Sequence, residues 1–159
     1  GLNMANGSCD GCEGDMKIGL ALGVKYNKLP VILGVGISQR GTQQEEELLG
    51  IKMTMAQKYM YLDLSAIYPY AVGPGNAWAG LAIGMNLSAE VVVELAGVED
   101  SADMEDVGMD YGLALGYTYP INDMMGVYAS YYLGLAEIVE DSEATHNGIG
   151  LGITYSLPF

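Results

Sequence analysis

No run of about 18 uninterrupted apolar residues occurs in this sequence, which excludes a membrane-spanning helix. The nearest approach, Ala77 to Val98, is broken by Asn86, Glu90 and Glu94. Positive charge is also scarce. Six Lys and Arg stand against 20 Asp and Glu, for a formal net charge of −14. That balance argues against nucleic acid, whose phosphates need Lys and Arg, and against docking on anionic lipid surfaces. Phe occurs once, Pro five times, Cys twice and His once, which leaves few soft ligands for a metal. No signal peptide opens the chain. Gly1 begins inside a strand pattern, so the chain reads as a mature or trimmed form.

What is abundant is glycine, with 23 residues, and tyrosine, with 12. Tyr suits a membrane–water boundary because its ring is apolar and its hydroxyl wet. The glycines fall in register. From Ile149 to Phe159, Ile149, Leu151, Ile153, Tyr155, Leu157 and Phe159 alternate with Gly150, Gly152, Thr154, Ser156 and Pro158. A strand sends alternate side chains to opposite faces. One face is therefore wholly apolar and the other tiny or weakly polar. A soluble sandwich would bury the apolar face against a second sheet; a membrane barrel would turn it to lipid.

Eight such segments are predicted: Leu2–Asn6, Met16–Tyr26, Val31–Arg40, Ile51–Tyr68, Ala77–Val98, Val107–Tyr119, Met125–Glu137 and Gly148–Phe159. Three connections, around Asn27–Pro30, Pro69–Asn76 and Pro120–Asp123, are short or rich in turn residues. The other four read as longer acidic loops, holding Asp10, Glu13 and Asp15; Glu45, Glu46 and Glu47; Glu99, Asp100, Asp103, Glu105 and Asp106; and Glu140, Asp141 and Glu143. Short turns at one end and long loops at the other, with an even strand count, are the outer-membrane pattern. A lipocalin-like soluble barrel would place the bulky aliphatics inside, and the alternation runs the other way. Residues 1–159 are thus expected to form a single all-β domain, an eight-stranded antiparallel up-and-down transmembrane β-barrel. Its small-residue lining leaves room for Lys25, Arg40, Lys58, Tyr59, Tyr61, Asp63, Tyr128 and Tyr132, with Arg40, Lys58 and Asp63 as the interior charged candidates. Asp63 with Arg40 or Lys58 would form a structural pair.

In order and spacing these segments resemble the PorT-like family of eight-stranded outer-membrane barrels of Bacteroidetes, with an architecture like that of OmpX and OmpA. Gly1-Leu2-Asn3-Met4-Ala5-Asn6 resembles that family's opening strand, and Ile37-Ser38-Gln39-Arg40-Gly41 the end of its third. Tyr61-Leu62-Asp63-Leu64 is similar to its "Y-L-E-I-P" strand, with Ser65 in place of Pro. Ala79 to Gly84, Asp110 to Gly116 and Tyr131 to Leu135 resemble its "A-G-P-x-x-G", "D-aromatic-G-x-x-x-G" and "Y-x-x-G-L" strands, with Ser130 where Arg is common. The resemblance implies residence in the outer membrane of a Gram-negative-type bacterium and insertion by the barrel assembly machinery. It also implies that the terminal aromatic, here Phe159, belongs to the insertion signal. It implies no single biochemical activity.

Cys9-x-x-Cys12 could be a redox pair, half a metal site or a small loop disulfide. A structural zinc needs four ligands and His146 is the only other soft candidate; a disulfide fits an oxidising compartment. The acidic segments invite diffuse Ca²⁺ or Mg²⁺, with Asp100, Asp103, Glu105 and Asp106 the candidate cation ligands, but no segment matches the regular Ca²⁺ loop. No cofactor is expected. His146 lies near Asp141 and Ser142 in the last predicted loop, a chance neighbourhood rather than a triad. Tyr26, Tyr68, Tyr117, Tyr119, Tyr155 and Phe159 gather near the short turns as an interfacial girdle. The expectation is a non-enzymatic barrel with outer-membrane lipid around it, acidic loops at the cell surface, and a protein partner or self-association; no nucleic acid is expected. The alternative is a narrow pore for small solutes or cations, whose acidic mouth would favour cations.

Overall fold

The computed structural model describes residues 1–8, 15–27, 29–48, 51–95, 98–104, 107–136 and 145–157. It contains β1 (Leu2–Ser8), β2 (Asp15–Tyr26), β3 (Ile32–Leu48), β4 (Ile51–Val72), β5 (Gly75–Leu95), β6 (Val98–Asp103), β7 (Asp110–Pro120), β8 (Met125–Gly134) and β9 (Thr145–Tyr155). All pairings are antiparallel. Pairing β4 with β5 and β1 with β9 closes the sheet, so eight strands form the barrel and β6 stands outside the ring, paired to β5 alone. Closure leaves no long sheet edge to satisfy in lipid.

The wall follows the predicted alternation. Ile18, Leu20, Leu22 and Val24 on β2, Leu113 and Leu115 on β7, and Ile149, Leu151 and Ile153 on β9 all point outward and are exposed. Leu22 is 83% exposed and Ile18 67%, values that make sense only if the surrounding medium is apolar. The inward face carries Gly, Ala, Ser and Thr. Tyr26, Tyr68, Tyr70, Tyr119 and Tyr155 are exposed toward the short-turn end, and the Tyr117 hydroxyl donates to the Val72 carbonyl at 2.9 Å. Phe159 lies outside the described residues. The β4–β5 connection is a two-residue turn with Gly73 at φ 59°, the left-handed position that glycine takes without steric cost.

The acidic connections differ from expectation. Glu45, Glu46 and Glu47 are not loop residues: β3 and β4 continue as a paired ribbon, with Glu45 opposite Thr54, Glu46 opposite Met53 and Glu47 opposite Lys52. Asp100 and Asp103 lie on β6, which folds back along Glu90–Leu95 of β5. Glu and Asp are poor strand formers, so both stretches read as loops; each is a strand here because a neighbouring strand pairs with it. Beyond the last β5–β7 pair, Gly84 with Asp110, β4 and β5 go on pairing up to Met53 with Leu95. Strands β3, β4, β5 and β6 thus stand above the barrel rim as a projecting flange. A bulge at Leu87 between the Met60–Ser88 and Tyr61–Asn86 pairs marks its base and sharpens the local twist.

Candidate functional site in the barrel lumen

The inward face is built from alternate residues of every strand, so a polar residue that continues the small-residue row lands in the lumen. Arg40 on β3 does so, and it organises the site. Its Nη2 meets Asp63 Oδ1 of β4 at 2.5 Å, and its Nη1 donates to Asp110 Oδ2 of β7. Its Nε donates to Ser38 Oγ at 3.3 Å. The guanidinium plane is sandwiched between two rings, its Cζ 4.7 Å from the Tyr61 centroid and 4.9 Å from that of Tyr132, an arrangement that the ring quadrupole favours. Tyr132 of β8 donates its hydroxyl to Asp110 Oδ1 at 2.9 Å. Asp110 is 2% exposed.

His146 completes the cluster. It lies on β9, on the inward face, and is fully buried. Its Nδ1 stands 3.4 Å from Asp110 Oδ2, a long contact rather than a formed hydrogen bond. Tyr59 and Tyr61 meet its ring edge-on, with centroids at 5.4 Å and 5.8 Å. Ala89, Met104 and Val107 pack on the two tyrosines from the flange side. Gly84 makes room for all of this: a Cβ there would lie 3.1 Å from Tyr61 Cδ1 and 3.3 Å from Asp63 Oδ1. The glycine lining and the polar plug are therefore one device. Side chains from β3, β4, β7, β8 and β9 meet across the lumen.

Toward the short-turn end the lumen is lined differently. Lys25 Nζ sits 5.2 Å from the Trp78 ring and 5.3 Å from the Tyr128 ring, and Trp78 Nε1 donates to Thr118 Oγ1 at 3.1 Å.

Of the interior charged candidates, Arg40 and Asp63 are brought together. Lys58 is not with them; it is exposed on the outer face of β4. Strict alternation from Tyr59 and Tyr61 puts it there, opposite Gly41 and Glu90, where an opposite-charge neighbour across the strands suits it. His146 does not sit in a loop, and its lumen neighbour is Asp110; Asp141 and Ser142 lie outside the described residues. The signal for His146 was present in the sequence: His146, Gly148, Gly150 and Gly152 share one parity. Cys9, Cys12, Glu105 and Asp106 also lie outside the described residues. Asp100 and Asp103 are exposed on β6, and among the described residues no three His, Cys, Asp or Glu side chains are arranged to hold a metal ion.

No known family profile matches the chain, and no curated protein matches it in sequence. Among solved structures it is similar to Neisserial surface protein A, NspA, with a TM-score of 0.62 and 12% identity over 98% of this chain and 93% of that one. It is also similar to Ail, the attachment invasion locus protein of Yersinia pestis, with a TM-score of 0.51 and 16% identity over 97% of this chain and 92% of that one. The complex of Ail with the heparin analogue sucrose octasulfate matches with a TM-score of 0.50 at the same identity and coverage. At these identities the likeness is one of fold. The fold is that of the small outer-membrane β-barrels of Gram-negative bacteria.

Proposed function

We propose that this chain is a non-enzymatic outer-membrane barrel that uses its lipid-embedded ring to hold an interaction surface away from the membrane, and that its finer kinship is with the PorT-like barrels. The observation that carries this reading is the flange. Strands β3, β4, β5 and β6 extend past the closed ring, and a protein that needed only a membrane plug would have no use for them. The names of NspA, a surface protein, and Ail, an attachment invasion locus protein, state surface roles for those two proteins, and the present reading is of that kind. The acidic residues of the flange favour a partner of opposite charge and a salt-dependent encounter.

The narrow-pore alternative is disfavoured by the plug, since the Arg40 cluster spans the lumen. Reconstituted in planar bilayers, the protein is expected to show no discrete conductance steps; steady cation-selective steps would replace this reading with the pore. A second test addresses the flange. Replacing residues 45–54 by a two-residue Asn-Gly turn should leave the barrel resistant to detergent and still shifted in gel mobility by boiling. Loss of the folded band would make the flange part of the barrel's own stability and remove the argument for presentation.

A further inference from the structure

The register shifts among the described strands fall at one height. Strands β3 and β4 pair from Ile32–Ile67 to Leu48–Ile51 without a shift, so this ribbon runs unbroken from ring to flange. On its β2 side the register shifts between the Met16–Thr42 and Ala21–Ser38 pairs, where β2 carries one residue more than β3. On its β5 side the extra residue, Leu87, falls between the Met60–Ser88 and Tyr61–Asn86 pairs. The neighbour of β5 is interrupted at the same place: β6 ends at Asp103, opposite Glu90, and β7 begins at Asp110, opposite Gly84. All three irregularities lie across the stretch of β3–β4 ladder from Ser38–Tyr61 to Arg40–Tyr59. The flange stands above that stretch and the closed ring below it.

A bulge disrupts the ladder locally and bends its strand, and a strand that stops and restarts carries no ladder across the gap. Gly108, between β6 and β7, stands in open space, where an added Cβ would meet nothing within 4 Å. At this height one regular pair of strands joins the flange to the ring, and a two-stranded ribbon on its own is marginal. The flange must therefore be held from elsewhere. Tyr59 is the first inward residue on its side of the Met60–Tyr61 shift, and Tyr61 the first on the ring side. His146 reaches both from β9, fully buried, with its ring edge-on to theirs at 5.4 Å and 5.8 Å, a favourable aromatic arrangement. Neither of its ring nitrogens forms a hydrogen bond among the described residues, so its hold on them is the packing of its ring. The Tyr59 hydroxyl donates to Gln57 Oε1 at 2.8 Å, and Thr42 Oγ1 donates to the same oxygen at 3.3 Å. Those bonds tie the gripped tyrosine to the next inward row of the flange.

We propose that the flange is a hinged arm that pivots on the β3–β4 ribbon between Ser38–Tyr61 and Arg40–Tyr59, and that the His146 ring is the latch holding it in the present orientation. Such a joint, in which a few residues at the ends of elements absorb the motion, lets a surface carried by a rigid ring adjust its aim while the ring stays folded. The inference concerns how the flange is attached, and it holds with or without a partner bound there.

The test uses the full chain in lipid nanodiscs, with spin labels attached to keto residues placed at Glu94, exposed on β5 of the flange, and at Ile149, outward on β9. Pulsed electron resonance reads the distance between them. The otherwise unchanged chain should give one narrow distance. His146→Ala should lose that peak to a broad or two-peaked distribution while the protein still shifts in gel mobility on boiling. Tyr59→Leu, which breaks the contact from the arm's side, should do the same. His146→Phe keeps a ring without nitrogens and should retain the narrow peak. Deleting Leu87 from the His146→Ala chain should bring the peak back, because the β4–β5 pairing becomes regular and no flange residue changes face. The proposal is overturned by a broad distribution in the unchanged chain, by an unchanged peak in His146→Ala or Tyr59→Leu, or by a broad one in His146→Phe. A Leu87 deletion that restores nothing overturns the hinge line. Loss of the folded band in both His146→Ala and Tyr59→Leu would make the contact part of the ring's own stability and also overturns the proposal.

Discussion

Asp110→Ala is expected to destabilise the barrel by about 3–5 kcal/mol, the range for removing one partner of a buried ion pair. Asp110 is the hub of the plug. It accepts from Arg40 and from Tyr132, lies within 3.4 Å of His146, and its side chain is 2% exposed. Its loss leaves Tyr132 without an acceptor and Arg40, whose side chain is 10% exposed, with one carboxylate. Asp63→Ala should cost less, about 1.5–3 kcal/mol as for one charged hydrogen bond. Its side chain is 24% exposed, and Arg40 keeps Asp110. Urea titration in lipid vesicles, followed by the emission of the single Trp, measures both. Trp78 lies in the lumen beside Thr118 and Lys25, so unfolding changes its surroundings. Asp110→Asn separates shape from charge: it keeps the volume but not the negative charge. If Asp63→Ala proves as damaging as Asp110→Ala, the hub assignment is wrong and Arg40 depends on both carboxylates equally.

The closed barrel was legible in the sequence because two patterns agreed over nearly every strand: bulky residues at one parity, glycine and alanine at the other. Ile149, Leu151 and Ile153 against Gly150 and Gly152 state both the wall and its sidedness. The cluster was half legible. Arg40 and Asp63 lie on inward parities of β3 and β4, but the register that places Gly36 opposite Asp63 and Tyr59 opposite Arg40 continues through the Glu45–Glu47 stretch that read as a loop. What alternation cannot supply is which inward residues from strands far apart in sequence reach the same height. Arg40 and Asp110 are 70 positions apart, and their meeting depends on the stagger of β3, β4, β5 and β7 around the ring. Lys58 was misplaced for a simpler reason. Adjacent residues of one strand cannot share a face, and Tyr59 already held the inward one. The flange was hidden by composition: Glu-rich and Asp-rich stretches read as loops when nothing says that a partner strand is present to pair them.

The sidedness of the wall carries the other large prediction. Leu115→Arg is expected to cost about 2–4 kcal/mol in folding stability in a lipid bilayer, the range for an Arg facing lipid near the midplane of a barrel. Leu115 lies halfway along the outward row of β7, between Tyr111 and Tyr119, and is 47% exposed. In a soluble protein so exposed a position would accept Arg with little change. Ala114→Ser, one residue away on the inward face, should be nearly neutral, since Tyr132, Ser130 and Thr118 already make that lining polar. Tyr119→Arg, near the short-turn end of the same row, should fall between the two because the cost declines toward the interface. Folding titrations of the three variants in vesicles of one thickness would give the depth profile directly. A neutral Leu115→Arg would mean that the apolar row does not face hydrocarbon, and the outward face would then require a protein partner instead. A full cost at Leu115, a partial one at Tyr119 and none at Ala114 would fix both the orientation of every strand and the height of the ring in the membrane.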